Sequence, residues 1–333
     1  MNDTSAQFDI ITIGDSTVDT SIKIHDASVQ CNFNNENCKI CLSFGDKIPV
    51  DAIGHSVAGN AANVVVGCAK LGLTSAIYTN LGGDSTAQLI KNAFDEAGVS
   101  SDYISEQKDK ESNLSVIINF QNERTAMVYH QKWQYRLPVL ADSSFVYYTS
   151  VSESFTESNI VNDVCNYLDK SNAKLVYGPG TYQLKADVKK YPRLLEKTEV
   201  FIINLEEAKK ILGVDVAQEI APKELLNKIH LLGPKNVVIT DGEEGSYFTD
   251  GSVFLRLGIL PVNVYEKTGA GDAYSSAFVS ALCLGHDMKE AMVWGALNSA
   301  SCIQKLGPQN GLLTLQELER NRKIASDLVA SEF

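Results

Sequence analysis

Apolar runs alternate with segments of helical periodicity along most of the chain. Residues 8–13 form the first apolar run and end at Gly14, which predicts a buried β-strand followed by a turn. Apolar residues then recur at helical spacing between residues 59 and 71, and Gly72 predicts the end of that helix. Residues 75–79 predict the next strand, so the order is strand, helix, strand.

The same alternation continues through the second half of the chain. Further strands are predicted at residues 113–120, 124–130, 145–149, 173–177, 199–204 and 236–240, and helices at residues 85–97, 157–171, 183–190, 206–212 and 222–232. Strands that alternate with helices of this length favour an α/β fold, in which helices cover both faces of a mainly parallel sheet. No repeat or linker divides the pattern, so we expect one domain over residues 1–333.

One polar segment interrupts this alternation. Residues 21–56 are too long for a simple connection, and residues 39–44 alternate between polar and apolar side chains as exposed strands do. We therefore expect a small β-rich lid over residues 21–56, with residues 113–130 as a second part of it.

Charge and terminal composition exclude several classes of partner. The chain has 29 Lys and Arg against 41 Asp and Glu, a net charge of −12, and no basic run suited to a phosphate backbone, so nucleic acid is not an expected partner. Residues 1–8 lack the features of a signal peptide, and every apolar run is shorter than the roughly 18 to 20 residues of a membrane span. We expect a cytoplasmic protein without a membrane segment.

The cysteines point to reduced thiols. There are seven, an odd number, and most have apolar neighbours in the sequence, so no disulfide is expected. Cys38 and Cys41 form a C-x-x-C, with Cys31 and His55 nearby, but there is no second pair at zinc-finger spacing. A packed loop with inert thiols is therefore favoured over a metal or redox site.

The strongest chemical signal lies at residues 268–272, directly before a helix of small residues. Gly269, Ala270 and Gly271 leave their backbone amides uncovered, and amides at a helix start form an anion hole for a phosphate. Asp272 lies in the first turn, where a carboxylate repels a bound phosphate and is unfavourable for binding alone. A proton-transfer role explains its presence there, so a general base is one interpretation. The other is an Asp that complements the helix dipole.

This segment resembles the C-terminal Gly-Ala-Gly-Asp signature of the pfkB, or ribokinase-like, family of carbohydrate kinases, and other landmarks of that family follow in order from residue 9 to about residue 318. The resemblance implies a three-layer α/β/α fold with a β-rich lid. It also implies an ATP-dependent kinase that transfers the γ-phosphate to a hydroxyl of a small sugar, with Mg²⁺, Asp272 as base and the preceding amides as anion hole.

Two segments resemble the sugar-binding motifs of the family. Asp19 follows Gly14 by five residues, and the resemblance implies that its carboxylate holds sugar hydroxyls, whereas a lone Asp after a strand is otherwise a turn residue. Gly59, Asn60 and Asn63 match the family's Gly-Gly-x-x-x-Asn and are implied to contact substrate, with Ala58 in place of the first glycine.

Two further segments concern metal ions. Asn204 and Glu207 resemble the family's Asn-x-x-Glu, which organises water around Mg²⁺, although a capping Asn with a first-turn Glu fits the spacing equally well. Before Thr268 this chain has Glu266 and Lys267 where the family has Asp-Thr and where many relatives hold a monovalent cation. Glu266 can keep an oxygen ligand and Lys267 can replace the charge, so no dependence on a monovalent cation is predicted.

The implied nucleotide site uses later parts of the chain. Thr240, Gly242 and Gly245 resemble a family motif that contacts the nucleotide, while a hairpin turn is the plain alternative. Asn298 matches the place where family members line the adenine and ribose site.

The acceptor is left open. An unphosphorylated sugar ranks first, a nucleoside stacked on the polar and aromatic residues 129–133 ranks second, and a sugar phosphate third because the cations near Asp19 and Asn63 are scattered. A non-catalytic sugar- or nucleotide-binding protein of the same fold is the rival from another class. The resemblance also implies a homodimer formed through the lids.

Overall fold

The computed structural model describes residues 7–31, 38–121 and 123–333. The strands are β1 Phe8–Ile13, β2 Thr17–Ile24, β3 Ser28–Gln30, β4 Lys39–Cys41, β5 Val50–Ala58, β6 Ser75–Gly82, β7 Ser100–Gln107, β8 Leu114–Phe120, β9 Glu123–Tyr129, β10 Ser143–Tyr148, β11 Lys174–Tyr177, β12 Thr198–Asn204, β13 Asn236–Thr240, β14 Ser246–Thr249, β15 Phe254–Leu257 and β16 Ser331–Glu332. The helices are α1 Asn60–Lys70, α2 Ser85–Ala97, α3 Ile160–Lys170, α4 Thr181–Lys185, α5 Pro192–Glu196, α6 Leu205–Leu212, α7 Pro222–His230, α8 Ala270–Cys283, α9 Met288–Cys302 and α10 Leu315–Ile324. Within these ranges no helix has the length and apolarity needed to cross a membrane.

A large sheet forms the centre of the molecule, in the order β16-β15-β14-β13-β12-β11-β10-β1-β6-β7. The pairs from β7 to β13 are parallel, and β14, β15 and β16 extend the sheet in antiparallel pairs. Along β1, Ile11 and Ile13 pack in the cluster that includes residues of α3 and α7, whereas Ile10 packs with residues of α8 and α9. Alternate side chains of a strand point to opposite faces, so helices cover both faces and the predicted three-layer α/β fold is confirmed.

Several elements differ from the sequence prediction, which did not include the short helix α5 or the strands β14, β15 and β16. The helix expected at residues 183–190 is divided into α4 and a short 3₁₀ turn at Val188–Lys190, because Asp187 between them has a φ of 69°. The edge strand β7 was not predicted, since its sequence is rich in serine and acidic residues and lacks an apolar run.

A second sheet, the lid sheet, lies beside the first and has the order β5-β2-β8-β9. It begins at Thr17, slightly earlier than the predicted residues 21–56. β2 pairs antiparallel with β5 and parallel with β8, and β8 and β9 form a hairpin. β3 and β4 form a separate hairpin at residues 28–41.

The expectation that no disulfide forms is wrong. Cys31 and Cys38 are joined by a disulfide, with their Cα atoms 4.0 Å apart. In the β3–β4 hairpin Gln30 is paired with Lys39, so the register brings the next residue on each strand face to face. The rule from odd cysteine number and apolar neighbours overlooks this register.

Candidate active site

Asp272 lies in the first turn of α8, where the chain turns sharply. Gly269 precedes the helix in a left-handed conformation, with φ 78°, and a Cβ on it would lie 2.5 Å from the Cβ of Pro308. A glycine is therefore required at this position. The amides of residues 269–271 lie at the start of this helix, at the positive end of the helix dipole.

Two amide side chains of α1 hold the Asp272 carboxylate. Asn60 donates from Nδ2 to Oδ1 at 3.0 Å, and Asn63 donates from Nδ2 to Oδ2 at 2.7 Å. Gly59 lets α1 begin here, because its φ is 100° and a Cβ on it would lie 2.6 Å from the carbonyl oxygen of Asp15. The structure thus brings together Gly59, Asn60, Asn63 and Asp272, which the sequence separates by more than 200 residues.

The surroundings of Asp272 shift the pKa of its carboxyl group to near neutral pH. Desolvation raises the pKa of Asp272 to about 7, against the opposing effect of the hydrogen bonds from Asn63 and Asn60, and the charge of Glu207 also raises it. A carboxyl group with such a pKa can take and give a proton near pH 7.

Other residues fix the orientation of the two amides. The Ser150 hydroxyl donates to Asn60 Oδ1 at 3.0 Å, and Gln309 donates from Nε2 to Asn63 Oδ1 at 3.0 Å. Each amide oxygen is thereby occupied, so each amide NH₂ group faces Asp272. Sequence reasoning missed both residues. Ser150 follows the carboxyl end of β10, a signal that was available, whereas nothing in the sequence marks Gln309.

Asp19 lies in β2 and is buried. Its cross-strand neighbours are Ser56 and Ser115. Desolvation raises the pKa of Asp19, the Ser115 hydroxyl and the charge of Arg124 lower it, and Glu266 raises it. The carboxylate therefore lies among hydroxyl groups and near one guanidinium group.

Asp15, four residues before Asp19 in the sequence, is held by hydrogen bonds beside the site. The Tyr135 hydroxyl donates to Asp15 Oδ2 at 2.8 Å, as does the Ser152 amide at 2.8 Å. Burial raises the pKa of Asp15 to about 7. Its backbone amide donates to the carbonyl oxygen of Ser150 at 2.8 Å, which joins the end of β1 to the serine that orients Asn60.

A cavity of about 230 Å³ opens beside the start of α8. Thr240, Gly242 and Gly245 line it together with Ala270, Gly271 and the mainly apolar side chains of Ile259, Val264, Ala296 and Ala300. Its size and apolar lining suit a flat heterocycle, and Ala270 and Gly271 of the predicted anion hole are among its lining residues.

Asn298, which was predicted to line the adenine and ribose site, does not line this cavity. It is fully buried and donates from Nδ2 to the carbonyl oxygen of Ala273 at 2.9 Å, while its Oδ1 accepts from the Leu313 amide at 2.9 Å. Helical periodicity turns its side chain toward α8, and the adjacent Ser299 lines the cavity instead.

Asn204 and Glu207 form a reciprocal helix cap. The Glu207 amide donates to Asn204 Oδ1 at 2.8 Å, and the Asn204 amide donates to Glu207 Oε2 at 2.9 Å. Desolvation raises the pKa of Glu207, and its charge acts on Asp272. The cap uses one carboxylate oxygen, and the residue still borders the site. Within the described ranges, no group of three or more His, Cys, Asp or Glu side chains is placed to hold a metal ion.

Glu266 and Lys267 point in different directions. Lys267 is one of the residues that line the cavity, and its ammonium group lies 4.0 Å from the Glu243 carboxylate. Glu266 Oε1 accepts from the Thr268 hydroxyl at 2.6 Å, and Oε2 accepts from the Gly307 amide at 2.8 Å.

Comparison with known proteins identifies the family of the chain. The model of the pfkB family carbohydrate kinases matches residues 20–315. An ATP-dependent 6-phosphofructokinase of Thermoanaerobacterium thermosaccharolyticum is 24% identical over 316 residues, which cover 90% of this chain and 89% of the relative.

Solved structures share the fold. Ribokinase of Arabidopsis thaliana, complexed with ribose and ATP, has a TM-score of 0.78 and 19% identity, with 93% of this chain and 97% of that chain covered. A nucleoside kinase of Methanocaldococcus jannaschii has a TM-score of 0.76 and 17% identity, with 96% and 100% covered. The chain therefore belongs to the pfkB family of carbohydrate kinases, which are phosphotransferases with an alcohol group as acceptor.

Proposed function

We propose that the protein transfers the γ-phosphate of ATP to a hydroxyl of a small, unphosphorylated sugar, with Asp272 as general base. The observation that carries this proposal is the Asp272 carboxyl group, which two amides hold at the start of α8 and whose pKa is about 7. A base with this pKa, next to uncovered amides, suits the attack of an alcohol on a phosphate.

Each group of residues has a separate role in the proposed reaction. Asp272 takes the proton of the acceptor hydroxyl as its oxygen attacks the γ-phosphorus and ADP leaves. The amides of Gly269, Ala270 and Gly271 stabilise the charge on the phosphate oxygens, although the Ala270 amide also makes a long bond of 3.4 Å to the carbonyl oxygen of Lys267. Asp19 accepts hydrogen bonds from other hydroxyls of the sugar and fixes its orientation.

The nucleotide is proposed to occupy the 230 Å³ cavity, with its base against the apolar wall and Thr240, Gly242 and Gly245 along its edge. Mg²⁺, when bound, neutralises charge on the phosphates. Glu207 would hold it through water, in keeping with the several waters that Mg²⁺ usually keeps. Because Glu266 is already bonded to Thr268 and Gly307, no monovalent cation is part of the proposal.

A nucleoside acceptor is the second candidate, and one contact favours it. His130, directly after β9, packs edge to face on Tyr182 of α4, with ring centroids 5.5 Å apart. This aromatic pair joins the lid to the carboxyl end of the central sheet and can stack on a base. Trp133, which was included with residues 129–133, is 2% exposed and belongs to the core.

A sugar phosphate stays third. Arg124 is the cation whose charge acts on Asp19, and binding a second phosphate favours several clustered cations.

The proposal includes the assembly and location of the protein. We expect the whole chain to act as one cytoplasmic kinase domain and to form a homodimer through the lid sheets. On the face of the lid sheet opposite to Asp19, Ile53, Met127 and Tyr129 are 65%, 54% and 46% exposed. An apolar face of this kind favours burial against a second copy.

The test is ADP release from Mg-ATP across a panel of pentoses, hexoses, sugar acids, nucleosides and sugar phosphates. A strong response to an unphosphorylated sugar supports the proposal, and a response confined to nucleosides supports the second candidate. Tight binding of ATP or sugar without turnover overturns both and leaves the non-catalytic binding protein.

A further inference from the structure

One arginine of the lid sheet reaches across the site to the loop before α8. Arg124 lies in β9, and its Nη1 donates to the hydroxyl oxygen of Thr268, 144 residues away. Thr268 immediately precedes Gly269, the residue that begins the uncovered amides. This hydrogen bond therefore connects the lid sheet, through Arg124, to the predicted anion hole, through Thr268.

The Thr268 hydroxyl is fixed in both of its roles. It accepts from Arg124 and donates to Glu266 Oε1 at 2.6 Å, and Glu266 Oε2 accepts from the Gly307 amide at 2.8 Å. Lid, helix start and the loop at residue 307 are thus joined in one series of hydrogen bonds. Because an arginine and a carboxylate are its charged members, the individual bonds are stronger than those between neutral groups.

The register of the lid sheet places Arg124 on the acceptor side. Arg124 pairs with Asn119, which pairs with Lys23, and Lys23 and Asp19 lie four residues apart on β2. Residues an even number apart on a strand share a face, so Arg124 and Asp19 face the same way. The charge of Arg124 lowers the pKa of Asp19, which agrees with this placement.

We propose that Arg124 is a positioning residue that joins lid closure to the geometry of the anion hole. With the lid closed, Arg124 holds Thr268, and Thr268 holds the following amides where the phosphate gains charge. This inference rests on the proposed kinase function. It explains how enclosure of the acceptor and organisation of the phosphate site occur together, which favours transfer to the acceptor over transfer to water.

A double-mutant cycle tests it, with Arg124→Met, Thr268→Val and the pair combined. Each single variant removes the hydrogen bond between Arg124 and Thr268, so each should lower kcat by at least about tenfold with KM for ATP nearly unchanged. Thr268→Val also removes the hydrogen bond to Glu266 and should be the slower of the two. The double variant should be no slower than the slower single variant. Thr268→Ser keeps the hydroxyl and should keep most of the activity. Lys23→Met removes a lid charge from the same cross-strand row and should leave kcat unchanged.

Effects that multiply in the double variant, to about 100-fold, overturn the proposal, as do single variants with wild-type kcat. Hydrogen–deuterium exchange gives a readout without turnover. Exchange of the amides of residues 269–271 should increase in Arg124→Met and not in Lys23→Met, and equal exchange in both would contradict the inference. If the wild type transfers phosphate to no acceptor, the kinase proposal fails, and exchange alone decides whether Arg124 holds this loop.

Discussion

Replacing Asp272 with asparagine keeps the shape of the side chain and removes its ability to take a proton. General-base catalysis contributes about 10²- to 10⁴-fold to a rate, so kcat should fall by at least about 10²-fold. Because the pKa of Asp272 is about 7, the carboxylate form becomes populated as the pH rises through neutrality. The wild-type kcat/KM should therefore increase between about pH 6 and pH 8, and the residual activity of the variant should lack this increase.

The same substitution changes how stability depends on pH. The pKa of Asp272 is about 7 in the folded protein against an ordinary value of 3.8, so the folded state binds the proton more tightly than the unfolded state does. The wild type therefore loses stability as the pH rises from about 4 to about 7. Linkage gives a loss of about 2 kcal/mol between pH 5.5 and pH 8 that the variant does not share. Against this, the variant loses one amide hydrogen bond, a pH-independent cost of about 1 to 3 kcal/mol.

The measurements are a coupled ADP assay and urea unfolding at a series of pH values. Asp15→Asn is the matched control, because burial also raises the pKa of Asp15 to about 7 and its contacts are with Tyr135 and Ser152. This control should reduce the pH dependence of stability and keep the pH dependence of kcat/KM. Wild-type kcat in Asp272→Asn refutes the general base. If the free energies of unfolding of Asp272→Asn and the wild type change in parallel with pH, the pKa of about 7 for Asp272 is refuted.

Three further substitutions separate the parts of the site. Asn63→Ala removes a hydrogen bond that lowers the pKa of Asp272, so the rise of kcat/KM should move to higher pH, and an unmoved profile would contradict the contact. Asp19→Ala should raise KM for the acceptor by at least about tenfold and leave KM for ATP unchanged, as steady-state kinetics with each substrate varied will show. Ala296→Trp partly fills the 230 Å³ cavity. It should raise KM for ATP and leave KM for the acceptor unchanged, with weaker ATP binding in a fluorescence titration.

Much of this architecture follows from local sequence patterns. The buried runs of β1 and β10 and the small residues of helix α8 are sequence patterns typical of their element types, and Gly269 is required by the left-handed turn before α8. The contact between Asp272 and Asn63 has no local signal, because it joins residues 209 positions apart. Only the resemblance to a family placed these residues in one site.

The remaining differences between the sequence predictions and the structure have physical reasons. The side chain of Asn298 points toward α8, whereas that of the adjacent Ser299 lines the cavity. Which of the two faces the cavity depends on how α9 is rotated against α8. The disulfide of Cys31 and Cys38 depends on the register of a hairpin, and local composition does not determine a register. Arg124 was one of several scattered cations until the lid sheet brought it to Thr268.

Gly59 is the single residue between the last lid strand and α1, since β5 ends at Ala58 and α1 begins at Asn60. A lid that swings outward about this point pulls on the same helix turn that donates to Asp272. The Asn60 hydrogen bond lowers the pKa of Asp272, whereas desolvation, the larger effect, raises it. The single residue that ends the lid therefore also determines where the helix turn that holds the base begins, so a substitution that lengthens or stiffens this connection would change the lid and the base together.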